Sequence, residues 1–199
     1  MHLFGETVAM NRLAFAIVFI LCISAAIAQD STSTKAYGLD DAYEVYSAVL
    51  ADEISSGFAT GTLVIQQNTV SKPGISACLT DEATKRFADA EADFWHANRR
   101  DWILLRRFEI NKPYDLLSEG TIRAAFKSDG DWDGFYKRHP GSGGYIVLSA
   151  VGFNRDKTQA VVYTGRHCGS LCGHWSFHLL EKAGGRWKQV DGVNCSAVS

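Results

Sequence analysis

Tyr145-Ile146-Val147-Leu148-Ser149-Ala150-Val151-Gly152-Phe153 runs into Asn154-Arg155-Asp156-Lys157 and then into Gln159-Ala160-Val161-Val162-Tyr163-Thr164-Gly165. The apolar spacing here has a period of two. Tyr145, Val147, Val151 and Phe153 fall on one face of a strand and Ile146, Leu148 and Ala150 on the other, which predicts burial on both sides. The polar Asn154 to Lys157 stretch turns the chain back into a second strand. A third follows from Trp175 to Lys182, with Trp175, Phe177 and Leu179 on one face, and Ala183-Gly184-Gly185 turns into a fourth from Arg186 to Val190. The last third therefore reads as an antiparallel β-meander.

Upstream the period is helical. Asp40 or Asp41 is placed to cap a helix in which Tyr43, Tyr46, Leu50 and Ile54 form one apolar face, ending near Gly57. Ala83, Phe87, Ala90, Phe94 and Ala97 mark a second helix reaching about Arg99, with His96 on its solvent side. Between them Gly61 to Val70 reads as a strand. Arg107 to Ile110 and Tyr114 to Leu117 read as weak strands, Ser118 to Phe126 as a short helix and Trp132 to Arg138 as another. Helices first and a meander last give an α+β fold, with N-terminal helices packed on a C-terminal antiparallel sheet.

The beginning of the chain has a different character. Met10-Asn11-Arg12, an apolar run from Leu13 to Ala26, and the small residues of Ala26-Ile27-Ala28 have the layout of a secretory signal peptide over residues 1–28, with Met10 a possible true start. The apolar run is shorter than the roughly 20 residues a spanning helix needs, so no membrane span is expected after processing. Residues 29–36, rich in Ser and Thr, read as a flexible tether, and residues 37–199 as a single domain. The formal charge of −2 is unchanged by loss of the leader, which carries Glu6 and Arg12. No basic stripe with interleaved aromatic residues is present, which argues against nucleic acid as a partner. An exported chain, periplasmic or secreted, that keeps Cys78, Cys168, Cys172 and Cys195 is expected to form disulfides. Three pairings are open. The closeness of Cys168 to Cys172 favours a local bridge that leaves Cys78 for Cys195, the local loop worth about 2 kcal/mol and the long one about 5.

Several groupings carry possible chemistry. His167, Cys168, Cys172 and His174 are ligand types for zinc or copper. The Cys-x-x-x-Cys-Gly pattern resembles that of the binuclear copper site in cytochrome oxidase subunit II. The histidine and methionine which that site needs are replaced here by Ser176 and Leu179, so a structural disulfide is the better reading. Asp129, Asp131 and Asp133 match the first half of a calcium loop, although Lys137 and Pro140 stand at its ninth and twelfth positions. A polar turn that starts the Trp132 helix accounts for them without calcium, and no other cofactor is implied. Ser142, between two glycines, precedes a strand and lacks the strand-to-helix setting of a nucleophile elbow. His139 and His178 are the candidate acid–base groups, His139 with Asp133 as a partner.

The residues from Trp132 to Trp187, including Pro140-Gly141-Ser142-Gly143-Gly144-Tyr145, Leu148 to Asn154, Cys168 to Gly173 and Leu179 to Lys182, resemble small exported bacterial proteins of unknown function. That resemblance implies export and carries over no catalytic residue. The Glu181 to Trp187 ending is similar to the closing hairpin of NTF2-like domains, which implies helices packed into the hollow of a curved sheet. The expected function is a non-catalytic exported domain that binds a small ligand or an envelope component. The alternatives are an enzyme with a histidine and a carboxylate in an open hollow, and metal handling by the Cys168 to His174 loop. An aromatic plug in the hollow would exclude the enzyme.

Overall fold

A computed structural model of the chain describes residues 35–71, 73, 82–127, 131–191 and 195–198. In chain order the elements are β1 (Lys35–Ala36), α1 (Asp40–Ser55), β2 (Leu63–Gln66), a 3-10 segment (Glu82–Phe87) and α2 (Ala88–Ala97). Next come β3 (Trp102–Ile103), β4 (Tyr114–Leu117), α3 (Glu119–Lys127) and α4 (Trp132–Arg138). The chain ends with β5 (Tyr145–Leu148), β6 (Gly152–Phe153), β7 (Gln159–His167), β8 (His174–Ala183), β9 (Arg186–Gln189) and β10 (Cys195–Val198). The class is α+β, and Thr34–Ser199 forms one compact unit. Among the described residues no helix is long and apolar enough to cross a membrane.

The meander is present: β5, β7, β8 and β9 pair antiparallel in sequence order, and β6 also lies against β7. The sheet is larger and mixed, however. Its order is β10-β8-β7-β5-β2-β4, and β2 runs parallel to both β4 and β5. Lys35–Ala36, expected at the end of the tether, pairs in parallel with Trp102–Ile103, so ordered structure starts before Tyr37. The expected strand at Arg107 to Ile110 is irregular backbone instead. Its only apolar anchor with deep burial is Phe108, which inserts between Tyr43, Tyr46 and Tyr114.

Helix α1 begins at Leu39, which has no capping side chain; Asp40 and Asp41 sit inside the first turn. There they act on the positive helix end through charge rather than as caps. Its inner face, with Tyr43, Tyr46, Val49 and Leu50, packs on Leu63, Ile65, Ile146, Leu148, Ala160, Val162 and Leu180. The hollow over this side of the sheet is filled by Tyr37, Tyr43, Tyr46, Phe108, Phe153 and Trp187. The opposite side of the sheet is covered in two places. Phe87, Ala90 and Phe94 pack on Val161, Phe177 and Leu179, while α3 and α4 bring Ala125 and Phe135 against Val64 and Tyr145.

The first strand of the meander is not continuous. It breaks at Ser149-Ala150-Val151, a buried stretch where Ser149 N–H still donates to the Tyr163 carbonyl (3.0 Å) and the other backbone groups are met by side chains. Tyr46 Oη donates to the Ser149 carbonyl (2.7 Å), Asn98 brackets Ala150 with bonds to its N–H (2.8 Å) and carbonyl (3.0 Å), and Tyr37 Oη accepts from Val151 N–H (2.9 Å). Beyond the break, α2 lies directly on Gly152, where an added Cβ would come within 2.2 Å of Phe94 N and 2.4 Å of Ala90 O. Gly152→Ala must push α2 off the sheet and should destabilise by about 2 to 4 kcal/mol, as an overpacked core site does. Tyr46→Phe strands one buried carbonyl and should cost about 1 to 3 kcal/mol. Urea unfolding followed by tryptophan fluorescence checks both; unchanged midpoints would refute this account of the break.

Candidate functional site

The antiparallel register of β7 and β8 sets up a polar layer on the α1 side of the sheet. Arg166 lies opposite His174, Thr164 opposite Ser176 and Val162 opposite His178. His178 is 7% exposed and Thr164 1%. The His178 ring joins Thr164 Oγ1 at Nε2 (2.8 Å) and Gln189 Oε1 at Nδ1 (3.1 Å). Because an amide oxygen only accepts, Nδ1 carries the proton and Nε2 accepts from the threonine hydroxyl. Burial drives the His178 pKa down to about 4, against the Gln189 bond that raises it. His174 Nε2 and Ser176 Oγ are 2.9 Å apart, and burial and then the Arg166 charge lower the His174 pKa. Arg166 reaches Glu53 on α1 (3.4 Å) and lies over the Phe58 ring, while its Nε is buried without a hydrogen-bond partner. Burial raises the Glu53 carboxyl, opposed by Arg166.

These hydroxyl–imidazole pairs have the spacing of a nucleophile and its base. The Thr164–His178 pair is closed to a substrate, and His178 has Gln189, a neutral amide, where an orienting carboxylate would stand. Thr164 and Arg166 escaped the sequence reading, which set Glu53 on a solvated helix face where the structure buries it to 8% exposure, although His174-x-Ser176-x-His178 at a period of two signalled a polar strip on one strand face. His139 follows the end of α4, with its ring against Phe135 (4.9 Å between centroids). Burial lowers its pKa, and the carboxylate that opposes this is Asp115 on β4. Asp133, the expected partner, is exposed on the first turn of α4, about 9 Å away along the helix at 1.5 Å per residue. Ser142 is buried, and its hydroxyl accepts from Gly144 N–H (3.2 Å), so it shapes the turn.

Cys168 and Cys172 form the expected local disulfide. His167 and His174 cannot join it in a metal site, because alternation along the hairpin puts them on opposite faces of the sheet. His167 stacks on Tyr145 (4.7 Å), itself stacked on Trp132 (6.0 Å), and Tyr136 Oη donates to the Cys168 carbonyl (2.7 Å). The bridged loop is thus docked on α4. Cys78 and Asp129 lie outside the described residues; Cys195 is in β10, in register with Phe177. Asp131 caps α4, accepting from Asp133 N–H (3.0 Å) and Gly134 N–H (3.4 Å). Among the described residues no three His, Cys, Asp or Glu side chains converge on a metal position.

Open space lies on the outer side of α1. One basin of about 490 Å³ is lined by Asp40, Tyr43, Glu44, Ser47, Arg107, Phe108 and Glu109. A second, of about 450 Å³, is lined by Glu44, Ser47, Ala48, Glu109, Gly185, Arg186 and Trp187. They share Glu44, Ser47 and Glu109 and so form one groove, walled by the irregular 107–109 segment and by the β8–β9 hairpin. No histidine lines it. The groove is assembled from three separate parts of the chain, which is why no local motif marked it. No family model, curated protein or solved structure matches this chain.

Acid unfolding tests the polar layer. An unfolded histidine titrates near about 6.5, so between there and about 4 the unfolded chain holds a proton that folded His178 refuses. The stability linked to His178 is complete above pH 6.5 and is lost as pH falls toward 4, by about 1.4 kcal/mol per unit and about 3 kcal/mol in all. His139, His167 and His174 are lowered too and act in the same direction, while Glu53, raised by burial, acts against them. Chemical denaturation at stepped pH should therefore show His178→Gln losing about one proton's worth of slope over this range. An unaltered slope would mean that His178 is not held neutral.

Proposed function

We propose that this chain is an exported, disulfide-braced binding domain that performs no catalysis and takes a small ligand in the groove along α1. The observation that carries this reading is where the space lies. The hollow between α1 and the sheet, in which an enzyme would place its chemistry, holds six packed aromatic side chains. Among the described residues, two basins of open volume lie outside the helix, against charged and aromatic side chains and no histidine. Ligand sites are concave, and this groove sets the charged Asp40, Glu44, Arg107, Glu109 and Arg186 and the Ser47 hydroxyl beside Tyr43, Ala48, Phe108 and Trp187.

Export is supported by the leader layout, by the even cysteine count that remains after processing and by the Cys168–Cys172 bridge. A helix laid across one face of a sheet that ends in a Glu181 to Trp187 hairpin fits the NTF2-like likeness. The aromatic filling takes away the hollow that such a likeness would offer to catalysis.

Fragment screening by ¹⁵N–¹H NMR on the chain lacking residues 1–28 tests the reading. Amide shifts should gather at Ser47, Glu109 and Gly185 and at the Trp187 indole. Shifts gathered around Trp132 and His167 instead would move the site to the other face of the sheet. Hydrolysis of a p-nitrophenyl ester that disappears in His178→Gln or His139→Gln would overturn the non-catalytic assignment.

A further inference from the structure

The charges in the groove do not all have partners. At the α1 N-terminal end Asp40 pairs with Arg107 (2.8 Å), whose guanidinium also lies near the Tyr43 ring. Glu44 Oε2 accepts from both Lys182 Nζ (2.7 Å) and Trp187 Nε1 (3.2 Å). The Ser47 hydroxyl donates to the Tyr43 carbonyl (2.6 Å) and accepts from Glu109 N–H (2.8 Å). Two ionised groups remain. The Glu109 carboxylate and the Arg186 guanidinium, both exposed, make no hydrogen bond or ion pair among the described residues, yet both line the 450 Å³ basin.

Each is on a fixed support. The Ser47 bond ties the Glu109 backbone to α1, and Arg186 opens β9 in register with Ala183, beside a Trp187 that is itself tied to Glu44 on α1. Opposite charges that share a small basin and are not paired with each other can both be satisfied by one molecule that carries a cation and an anion. Ala48 and Trp187 supply the apolar surface between them.

We propose that this end of the groove is a zwitterion site for short peptides of small residues with free termini, the ammonium placed at Glu109 and the carboxylate at Arg186. This rests on the groove being the binding site. A lone amine or a lone carboxylate would engage one of the two charges and leave the other to water. The basin, about 450 Å³ and open to solvent, has room for a short peptide lying along it.

The probe is trialanine, compared with N-acetyl-trialanine and trialanine amide by NMR titration of the chain without residues 1–28. Trialanine should shift the Glu109 and Gly185 amides and the Trp187 indole, and each blocked peptide should bind at least tenfold more weakly. Glu109→Gln should erase the penalty for acetylation and keep that for amidation; Arg186→Gln should do the reverse. Both side chains are exposed, so neither substitution threatens the fold. Equal binding of all three peptides overturns the zwitterion site. If spermidine or glucose shifts these residues and trialanine does not, the peptide assignment fails and the groove stands. If none of these probes shifts them, both fail.

Discussion

After the Ser149 N–H, which still meets the Tyr163 carbonyl, the backbone through Ala150 and Val151 leaves the β-ladder in the middle of the core, and its polar groups have no water to turn to. A buried amide or carbonyl left without a partner costs more than an ordinary hydrogen bond contributes, so this break can exist only where other parts of the chain reach it. They come from three places: Tyr37 just beyond β1, Tyr46 in the second turn of α1, and Asn98 at the end of α2. The three N-terminal contributors are thereby located by one short stretch more than 50 residues further on. Their positions then determine much else. Tyr37 and Tyr46 bring α1 across the sheet and, with Tyr43 and Phe108, fill the hollow. Asn98 holds α2 where only a glycine at 152 lets the helix backbone approach.

The same dependence explains why some of the fold was legible in the sequence and some was not. Local period was enough for α1, for α4 and for the alternation of β7 and β8, because each has a one-sided or two-sided apolar pattern that any packing partner would satisfy. It failed at Ser149 to Val151, where Ala150 and Val151 continue a strand-like pattern and the reason for the break lies in side chains far away in sequence. It failed at Arg107 to Ile110 because Phe108 alone is buried there, inserted among tyrosines and not laddered. The parallel seats of β4 and β5 beside β2 were invisible as well, since register between segments so distant is set by tertiary packing and not by turns. Lys35–Ala36 reads as tether on composition and is strand only because Trp102–Ile103 offers an edge.

The histidines show the same contrast at the level of the site. His139 and His178 were visible as residue types, and the sequence could not say whether an acid would meet them. The structure gives His178 an amide and a hydroxyl, and a neutral ring between them satisfies all three groups without placing a charge in the core. Arg166, the one cation in this layer, is set against Glu53 at the rim of α1 and covers Phe58. A polar strip of this kind fixes the register of β7 on β8, because a slip of one residue would turn Arg166 and His178 to the apolar side that carries Phe94 and Phe177.

With the inner side of α1 committed to the core and the rim of the sheet committed to this strip, unpaired charge remains at Glu109 and Arg186, on the two segments that wall the groove beside the helix. Glu44 is shared by Lys182 and Trp187, and Ser47 is shared by Tyr43 and Glu109, so the hairpin and the 107–109 segment are both fastened to α1 by their own bonds. An exposed ion pair in water contributes little, on the order of 1 kcal/mol or less, too little to pull either support loose so that Glu109 and Arg186 could meet. Leaving these two exposed charges unpaired costs the fold almost nothing. The supports of Glu109 and Arg186 are held by these bonds, while their exposed side chains keep a rotamer freedom that any bridging ligand would have to remove.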